Sequence, residues 1–484
     1  MNPQIVKLFG VVLVLYALLF GFTSYWSIFD AEGLEANVAN KRPLLEEQRI
    51  ERGEILASDG SVIARSKGRG RGDNRTFVRS YPEGELYGNP IGYSFVERGR
   101  VGFELSHNDE LAGEQTEFLS ILDALRGAAQ EGADVQSSLD PEAQLTATQA
   151  LGGQNGSVVA IKPCTGEVRA MVSVPGYDPN AVRDSQAFEA FNKDPDSPLF
   201  NRATQAGYPP GSTMKVVTAT AALDSGEFDA GSTLNAPSGV EISGVPLANS
   251  GGADFGTIDM ETALTNSVNT YWAQVGEQLG NETMYEYMDR FGFNREPPLD
   301  YPSFQLATSG EFADGKLLDA GSDQIDVGRM AIGQDKLNVT PLQMAMVAAA
   351  VANDGELMEP RLWSKVIDTD GREERMDSER MSRVMSDETA ETLQSMMTDV
   401  VNEGTGGAAA LAADQVAGKT GTAEIIPEQN LNQAWFIGFA PAENPRAAVA
   451  VTVERTLGGQ GGTVAAPIAQ EVLQVLLDNE PECE

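Results

Sequence analysis

The chain has 484 residues, of which 41% are hydrophobic, so it is long enough to form two or three domains with buried cores. It carries 34 Lys and Arg against 71 Asp and Glu, and the net charge of −37 repels phosphate backbones and argues against nucleic-acid binding. The chain has a single histidine, His107, which leaves little material for a Ser-His-Asp or Cys-His mechanism or a His-ligated metal site, so we expect nucleophilic chemistry to use another base, and lysine is the usual substitute.

An apolar segment without charge lies close to the first residue. Leu8–Phe29 contains 22 residues and would span about 33 Å as a helix, which matches a bilayer core. Tyr25 and Trp26 would lie at the outer interface. The segment is too long for a signal peptide and has no obvious cleavage site, so we predict that residues 1–29 form a cytoplasmic tip and an uncleaved anchor. Lys7 precedes the segment and acidic residues follow it, which predicts a single-pass plasma-membrane protein with a cytoplasmic N-terminus and an extracytoplasmic bulk.

Residues 30–137 form a second region, in which short apolar stretches alternate with Gly, Arg and acidic residues. Ser58–Ser61 predicts a turn between two strands. Ser66–Arg75 reads SKGRGRGDNR, which is typical of a flexible, solvated basic loop. Near Asp134 the sequence changes from short apolar stretches to longer strand and helix patterns, and we place the end of this region there.

Residues 138–484 show alternating strand and helix patterns. Asp140 as N-cap and Pro141 at the first helical position predict a helix that ends at Leu151. The other predicted elements are strands at Gly156–Ile161, Val168–Val174, Gln433–Ala440 and Ala447–Val453, and helices at Thr340–Asn353 and Ala466–Leu477. This order fits an α/β fold, in the loose sense that includes α+β, with an antiparallel sheet flanked by helices.

The two cysteines, Cys164 and Cys483, lie far apart and belong to no CxxC or Cys/His spacing that would suggest a metal site. They are able to pair, but a chain of this size does not need a disulfide framework. We therefore expect two unpaired thiols.

The first chemical motif is an S-x-x-K tetrapeptide formed by Ser212 and Lys215. Pro209–Gly211 predicts a turn and the apolar run VVTATAAL after Lys215 predicts a buried helix, so Ser212 falls in the first helical turn. Lys215 follows three residues later on the same face. The helix N-terminus favours an oxyanion near Ser212, and burial lowers the pKa of the lysine so that a neutral amine can take the serine proton. On its own the tetrapeptide occurs by chance, and an N-cap serine beside a surface lysine is the simpler interpretation.

The second motif is Ser267-Val268-Asn269, at a predicted helix junction. The hydroxyl of Ser267 could relay a proton to a leaving amine, and the amide of Asn269 could hold either the substrate backbone or Lys215. Taken alone, this motif is better interpreted as ordinary helix capping.

The third motif is Lys419-Thr420-Gly421-Thr422, which is typical of a strand at a sheet edge. A peptide could lie antiparallel along this edge, with Lys419 supplying positive charge and the hydroxyls of Thr420 and Thr422, two residues apart, holding a terminal carboxylate. A phosphate-binding loop is excluded because Ala413 stands where that motif requires glycine.

Together the three motifs, in this order, resemble the S-x-x-K, S-x-N and K-T-G set of penicillin-binding proteins. Other stretches resemble the class B, monofunctional branch and its N-terminal pedestal, and the overall pattern is similar to short actinobacterial division proteins of the PbpA type. These stretches are Arg52–Ile55 with Val62–Ala64, Gly99–Glu104, Gly333–Gln334 with Thr340–Gln343, and Trp435–Pro441.

The resemblance implies a penicillin-binding transpeptidase fold, similar to serine β-lactamases, over residues 138–484 and a pedestal over residues 30–137. It implies a peptidoglycan D,D-transpeptidase that acts in cell-wall synthesis and division, and that β-lactams trap on the same serine. The implied roles are nucleophile for Ser212, base for Lys215, proton shuttle for Ser267, support by Asn269 and Lys419, substrate binding by Thr420, Gly421 and Thr422, and an oxyanion hole from the N–H groups of Ser212 and Thr422. No metal or organic cofactor is implied.

The resemblance also leaves alternatives. No glycosyltransferase region is expected before the pedestal, so polymerisation would fall to a partner such as a multi-span glycosyltransferase of the shape, elongation and division family. A D,D-carboxypeptidase, with water in place of the acceptor amine, is the nearest chemical alternative. A β-lactam sensor usually has several membrane spans, a β-lactamase needs a base for deacylation that we do not find, and a non-catalytic scaffold does not need intact motifs.

Overall fold

A computed structural model describes residues 3–26, 48–70, 75–113 and 131–483 of the chain. Its first helix, α1, spans Pro3–Ser24, and within the described residues it is the one helix long and apolar enough to cross a membrane. Its mean hydropathy is 2.5 and none of it is buried in the protein. Tyr25 and Trp26 follow it with their rings in an edge-to-face contact. The last residues of the predicted anchor, 27–29, lie outside the described residues.

The described helices and strands are numbered in chain order. The helices are α1 (Pro3–Ser24), α2 (Gly88–Ile91), α3 (Phe103–Ser106), α4 (Asn108–Ala112), α5 (Pro141–Leu151), α6 (Ser185–Lys193), α7 (Arg202–Gln205), α8 (Lys215–Asp224), α9 (Met260–Thr265), α10 (Asn269–Arg290), α11 (Val327–Met330), α12 (Pro341–Ala352), α13 (Asp387–Asn402) and α14 (Gly461–Asn479). Short 3₁₀ turns occupy Gly84–Tyr87, Pro179–Arg183, Gly211–Met214, Ser250–Gly252, Ser303–Gln305, Gly407–Ala409 and Pro427–Gln429.

The strands are β1 (Ile55–Leu56), β2 (Val62–Arg69), β3 (Thr76–Ser80), β4 (Ser94–Phe95), β5 (Gly99–Arg100), β6 (Asp134–Ser137), β7 (Gly156–Ile161), β8 (Val168–Val174), β9 (Leu234–Asn235), β10 (Val240–Ile242), β11 (Val245–Leu247), β12 (Thr257–Ile258), β13 (Gly310–Ala313), β14 (Lys316–Leu317), β15 (Leu337–Asn338), β16 (Glu356–Met358), β17 (Trp363–Ile367), β18 (Glu373–Arg375), β19 (Arg380–Arg383), β20 (Ala417–Ile426), β21 (Leu431–Ala440) and β22 (Ala447–Leu457). The strands and helices predicted from the sequence after residue 138 are all present, with ends shifted by a few residues.

The larger part of the chain is built on a five-stranded antiparallel sheet in the order β20-β21-β22-β7-β8. Strands β7 and β21 are apolar and almost wholly buried, as expected for strands covered on both faces. Helix α12, in which every residue is buried, packs on one face, and α14 and α5 pack on the other. The predicted antiparallel sheet flanked by helices is therefore confirmed. Strand β20 lies at an edge, so one side of its backbone is left without a partner strand.

A second, six-stranded sheet has the order β18-β17-β6-β1-β2-β3. Its strands β17 and β18 come from residues 363–375, late in the chain, and β17 pairs antiparallel with β6. The N-terminal sheet is thus completed by a later segment, and the domain boundary proposed between residues 137 and 138 stays a prediction.

The turn predicted at Ser58–Ser61 joins β1 and β2, as expected. The basic loop predicted at Ser66–Arg75 is wrong in its first part, because Arg65–Arg69 pairs residue by residue with β3. The stretch has the composition of a loop, but its backbone pairing with β3 makes it a strand. Residues 71–74 of the predicted loop lie outside the described residues.

A buried ion cluster holds the N-terminal region together. Glu104 is fully buried and accepts hydrogen bonds from Arg52 Nε at 3.0 Å, Arg79 Nε at 2.5 Å and the Tyr81 hydroxyl at 3.0 Å. Burial alone raises the pKa of Glu104, but the charges of Arg79 and Arg52 outweigh it and hold that pKa at about 2. The Arg52–Ile55 and Gly99–Glu104 stretches are therefore linked in space by one charged interaction.

The expectation of two unpaired thiols is wrong, because Cys164 and Cys483 form a disulfide with their Cα atoms 6.0 Å apart. Helix α14 returns the end of the chain to the turn after β7, and Glu480 is buried there beside Arg169 and Lys162. The spacing of the two cysteines in the sequence does not predict that they meet, because the packing of α14 that brings them together is a tertiary contact.

We expect Glu104→Gln to lower the free energy of unfolding by about 3 kcal/mol, because it removes the buried carboxylate that two buried guanidinium groups share. Since its pKa is depressed, the contribution of Glu104 is present above the pKa of an unfolded glutamate and is lost as the pH falls towards 2. Urea denaturation of the detergent-solubilised chain, followed by circular dichroism, measures the effect. Glu97→Gln removes an exposed carboxylate of the same region and is the control. Equal urea midpoints of unfolding for Glu104→Gln and Glu97→Gln would contradict a stabilising role for the cluster.

Candidate active site

The turn before Ser212 is held by three contacts to its backbone. Tyr208 forms a bridge with Val339, the Gly211 N–H donates to the Gly333 carbonyl at 2.9 Å, and the Trp435 indole N–H donates to the Pro209 carbonyl at 3.0 Å. Ser212 lies in the 3₁₀ turn Gly211–Met214, which runs directly into α8. The prediction of a helical first turn is therefore correct in position, but the turn is 3₁₀ rather than α.

Lys215 is fully buried and lies at the centre of the site. Its Nζ is 2.9 Å from Ser212 Oγ, as the S-x-x-K spacing predicts. The same nitrogen is 2.8 Å from the Ser267 carbonyl, 3.2 Å from Ser267 Oγ and 2.7 Å from Asn269 Oδ1. The structure thus brings the first and second motifs together around a single amine.

Ser267 and Asn269 lie at the junction of α9 and α10, where the sequence places them. Ser267 has a φ of 56°, a left-handed conformation that an L-residue adopts at a cost and that often marks a functional site. Asn269 Nδ2 donates to the Ala248 carbonyl at 3.1 Å, which turns Oδ1 towards Lys215. Of the two partners proposed for Asn269, the structure shows the contact with Lys215.

Strand β20 closes the opposite side of the site. Lys419 is fully buried, and its Nζ is 2.9 Å from Ser267 Oγ and 3.0 Å from the Thr420 carbonyl. A Cβ atom on Gly421 would come within 2.7 Å of the Pro210 carbonyl oxygen, and one on Gly211 within 2.9 Å of the Thr422 backbone. Both glycines therefore allow the turn that carries Ser212 and the edge strand to approach closely.

The two threonines of the third motif point towards the start of α14. Thr420 Oγ1 is 2.6 Å from Thr405 Oγ1, and Thr422 Oγ1 accepts a hydrogen bond from the Gly461 N–H at 3.2 Å. The prediction that they share one side of the strand agrees with these contacts. Hydroxyl groups and a helix N-terminus suit an anionic ligand.

Burial changes the protonation of both lysines. Burial, together with the nearby charge of Lys419, lowers the pKa of Lys215 well below the usual range of a lysine. Burial also lowers the pKa of Lys419, to about 7. Both shifts favour the neutral amine, and because the charge of Lys419 acts on Lys215 in addition to burial, Lys215 is the better candidate for the neutral amine and Lys419 for the cation.

Two further residues of the site were not singled out from the sequence. Buried Asn249 accepts a hydrogen bond from the Thr270 N–H at 2.9 Å and thereby caps α10 next to Asn269. Thr405, in the Gly404–Gly406 stretch, contacts Thr420. Neither residue stands in a motif of its own, so no local signal identified it. The described residues contain no group of three or more His, Cys, Asp or Glu side chains that could hold a metal ion.

Sequence comparison finds two family matches. Residues 156–474 match the penicillin binding protein transpeptidase domain, and residues 52–135 match the penicillin binding protein A dimerisation domain. The chain is 34% identical to the peptidoglycan D,D-transpeptidase PbpA of Mycolicibacterium smegmatis, with 99% of each chain covered. It is 33% identical to PbpA of Mycobacterium tuberculosis, covering 99% of this chain and 100% of the relative.

The fold is also similar to solved structures. The ceftriaxone acyl-enzyme complex of M. tuberculosis penicillin-binding protein A has a TM-score of 0.80 and 31% sequence identity, covering 90% of this chain and all of that one. With a match to the transpeptidase family over most of its length and relatives above 30% identity along nearly the whole chain, this protein belongs to the class B penicillin-binding protein transpeptidases.

Proposed function

We propose that this protein cross-links peptidoglycan stem peptides as a D,D-transpeptidase and that Ser212 is its nucleophile. The observation that carries the proposal is the 2.9 Å contact between Ser212 Oγ and Lys215 Nζ, in a buried site that lowers the pKa of the lysine. The chain is similar to named D,D-transpeptidases, and relatives have been solved as acyl-enzymes with β-lactams. The same serine would therefore take both a D-Ala-D-Ala peptide and a β-lactam.

A count of hydrogens supports Lys215 as the base. A neutral amine has two N–H donors and one lone pair. The Ser267 carbonyl and Asn269 Oδ1, at 2.8 and 2.7 Å, are acceptors and use the two donors. The lone pair is then left for the hydroxyl proton of Ser212, which is the arrangement that general-base activation needs.

In the acylation step, Ser212 Oγ attacks the carbonyl carbon of the penultimate D-alanine and its proton passes to Lys215 Nζ. The tetrahedral intermediate then collapses, the peptide C–N bond breaks and the terminal D-alanine leaves. The leaving amine must gain a proton, and Ser267 can relay it from Lys215, since its Oγ lies 3.2 Å from that amine. In the second step an acceptor amine attacks the ester carbon and gives its surplus proton to Lys215. The C–O bond to Ser212 then breaks, and Lys215 returns the proton to Ser212 Oγ.

The proposed oxyanion hole consists of the backbone N–H groups of Ser212 and Thr422. It is supported by the close approach of the two backbones, which the glycines at 211 and 421 allow. Such donors are typically worth about 3 kcal/mol each when they are aligned with the developing charge.

The terminal carboxylate of the donor peptide is assigned to the side chains of the third motif, next to the proposed oxyanion hole. The positive charge of Lys419, the hydroxyls of Thr420 and Thr422, and the N-terminus of α14 would hold it. The free edge of β20, including Gly421, would pair with the peptide backbone as an added strand.

The protein is proposed to be a single-pass plasma-membrane protein with a cytoplasmic N-terminus, and α1 supports the anchor. The pedestal over residues 30–137 and the transpeptidase domain over residues 138–484 are proposed units, supported by the two family matches. A multi-span glycosyltransferase of the shape, elongation and division family is the proposed partner for glycan polymerisation.

Ser212→Ala is expected to reduce covalent labelling by a fluorescent penicillin by more than about a thousandfold, because it removes the oxygen that forms the ester. In-gel fluorescence of the purified chain measures the labelling. Ser303→Ala removes an exposed hydroxyl elsewhere and should label like the wild type. Labelling that persists in Ser212→Ala would remove this serine from its role.

The acylation rate is expected to have two pH limbs. It rises as Lys215 loses its proton, below the usual lysine range, and falls as Lys419 loses its charge near pH 7. In Lys419→Arg the guanidinium stays charged because its pKa lies above about 12, so the alkaline limb should disappear while the acidic limb remains. Stopped-flow measurement with a chromogenic cephalosporin tests this. An unchanged alkaline limb in the variant would assign it to a different group.

Transfer is expected to exceed hydrolysis when an acceptor amine is present. Mass spectrometry of a mixture of the protein, a D-Ala-D-Ala stem peptide and an amine acceptor should show free D-alanine and the amide-linked product. Omitting the acceptor is the control and should leave an acyl-enzyme with the mass of the bound peptide. A shortened peptide as the main product in both mixtures would instead make the protein a D,D-carboxypeptidase.

A further inference from the structure

An aromatic groove lies between the N-terminal region and the transpeptidase part of the chain. Tyr93 and Val101 line it from the N-terminal side, and Tyr177, Phe191 and Phe200 line it from the other side. Its rings present accessible faces: Phe304, at the rim, is 65% exposed and Phe200 is 38% exposed. Helix α6 contributes Phe188 and Phe191, yet it has no fully buried residue, so its apolar face is only partly covered.

The groove has no charged side chain in its lining, although 22% of the residues of the whole chain are charged. Arg98 only stacks against Phe188 from outside the lining, at 4.4 Å. Its polar groups are the neutral amides of Asn192, Gln205 and Gln305 and the hydroxyls of Ser197, Tyr93 and Tyr177. The composition therefore favours an uncharged ligand that offers both apolar surface and hydrogen-bond acceptors.

Hydrogen bonds within the protein already orient two carboxamide side chains of the groove. Gln305, which is buried, accepts a hydrogen bond from the Gly102 N–H at 2.7 Å, and Gln205 accepts one from the Asn201 N–H at 3.0 Å. These bonds fix the oxygen of each amide. Among the described residues neither amide nitrogen has a partner, so both are donors available to a ligand.

The groove is continuous with the surroundings of the nucleophile turn. A cleft lined by Tyr208, Pro209 and Ile425 begins next to that turn and the end of β20, and it shares Phe200 and Gln205 with the aromatic groove. A donor peptide that leaves the edge of β20 past Ile425 is directed into this cleft.

The width of the sheet sets the distance that a substrate must cross to reach the aromatic groove. From Thr422 on β20, paired residues step across the sheet to Val174 on β8 through Ala434, Val453 and Gly156. Four strand spacings amount to about 19 Å. A four-residue stem on Ser212 extends about 14 Å, so the first sugar comes to lie beyond Ile425, and a glycan strand running on from it can reach the aromatic groove.

We propose that this aromatic groove binds the glycan strand that carries the donor stem peptide. Pyranose rings would stack on Phe200 and Phe304, and the N-acetyl and hydroxyl oxygens would accept hydrogen bonds from Gln205 and Gln305. The inference rests on the proposed donor role of β20, and it gives the enzyme a means to prefer stems on polymerised glycan over free peptides.

The test uses a peptide-free GlcNAc-MurNAc disaccharide and the full-length Ser212→Ala chain in detergent. Saturation-transfer NMR should show contact with the sugar-ring and N-acetyl protons. Adding Phe200→Ala and Phe304→Ala should weaken binding by about tenfold. Leu457→Ala, which removes an apolar side chain that is 79% exposed and outside the groove, is the matched control and should bind like its parent.

Absent saturation transfer, or equal transfer in all three proteins, would overturn the proposal. So would concentration-dependent self-association that the two Phe substitutions abolish without any sugar contact, since the groove would then be an interface between copies. Because the Ser212→Ala background cannot form an acyl-enzyme, sugar binding is measured separately from catalysis. Failure of the transpeptidase proposal would instead appear as penicillin labelling that does not depend on Ser212.

Discussion

Two buried lysine amines share the hydroxyl of Ser267, and the chemistry of the site depends on this arrangement. Lys215 Nζ and Lys419 Nζ lie 3.2 and 2.9 Å from Ser267 Oγ. Two ammonium groups cannot both remain charged so close together in a dry site. Burial and this repulsion both lower the pKa of Lys215, whereas burial alone lowers the pKa of Lys419, to about 7, so Lys215 holds its proton less firmly than Lys419 does. In the proposed mechanism, one pair of like groups thus provides both a base and a cation without any histidine.

The fold secures this arrangement by bringing three distant segments to the edge of one sheet. The 3₁₀ turn at Ser212 rests on β20 through contacts that only glycine at 211 and 421 permits. The α9–α10 junction is fixed from behind by Asn249, and its strained Ser267 conformation aims both a carbonyl and a hydroxyl at Lys215. Since each segment is anchored by its own backbone contacts, the polar groups are positioned before substrate arrives, which is the condition for electrostatic catalysis.

Much of the fold and of the site could be predicted from the sequence, and the limits have physical causes. The Ser212–Lys215 contact is local, and the spacing of three residues on a helical turn predicts it. The convergence with Ser267 and Lys419 was inferred from resemblance to a family, because periodicity does not encode contacts between distant segments. Thr405 and Asn249 lie in ordinary loop sequence and were missed for the same reason.

The remaining errors share that origin. The disulfide of Cys164 with Cys483 depends on where α14 ends in space, and the completion of the N-terminal sheet by β17 depends on tertiary pairing.

The one histidine illustrates how the two regions are joined. His107 Nε2 lies 3.2 Å from Asp300 Oδ2, and the same carboxylate accepts hydrogen bonds from the N–H groups of Leu362 and Trp363 at the start of β17. The imidazole therefore serves the contact between the N-terminal region and the rest of the chain, far from the chemistry. Together with the shared sheet, this contact makes the N-terminal region a structural part of the catalytic body. The aromatic groove lies between the N-terminal region and the rest of the chain, so its rings are held at a fixed distance from the turn that carries Ser212.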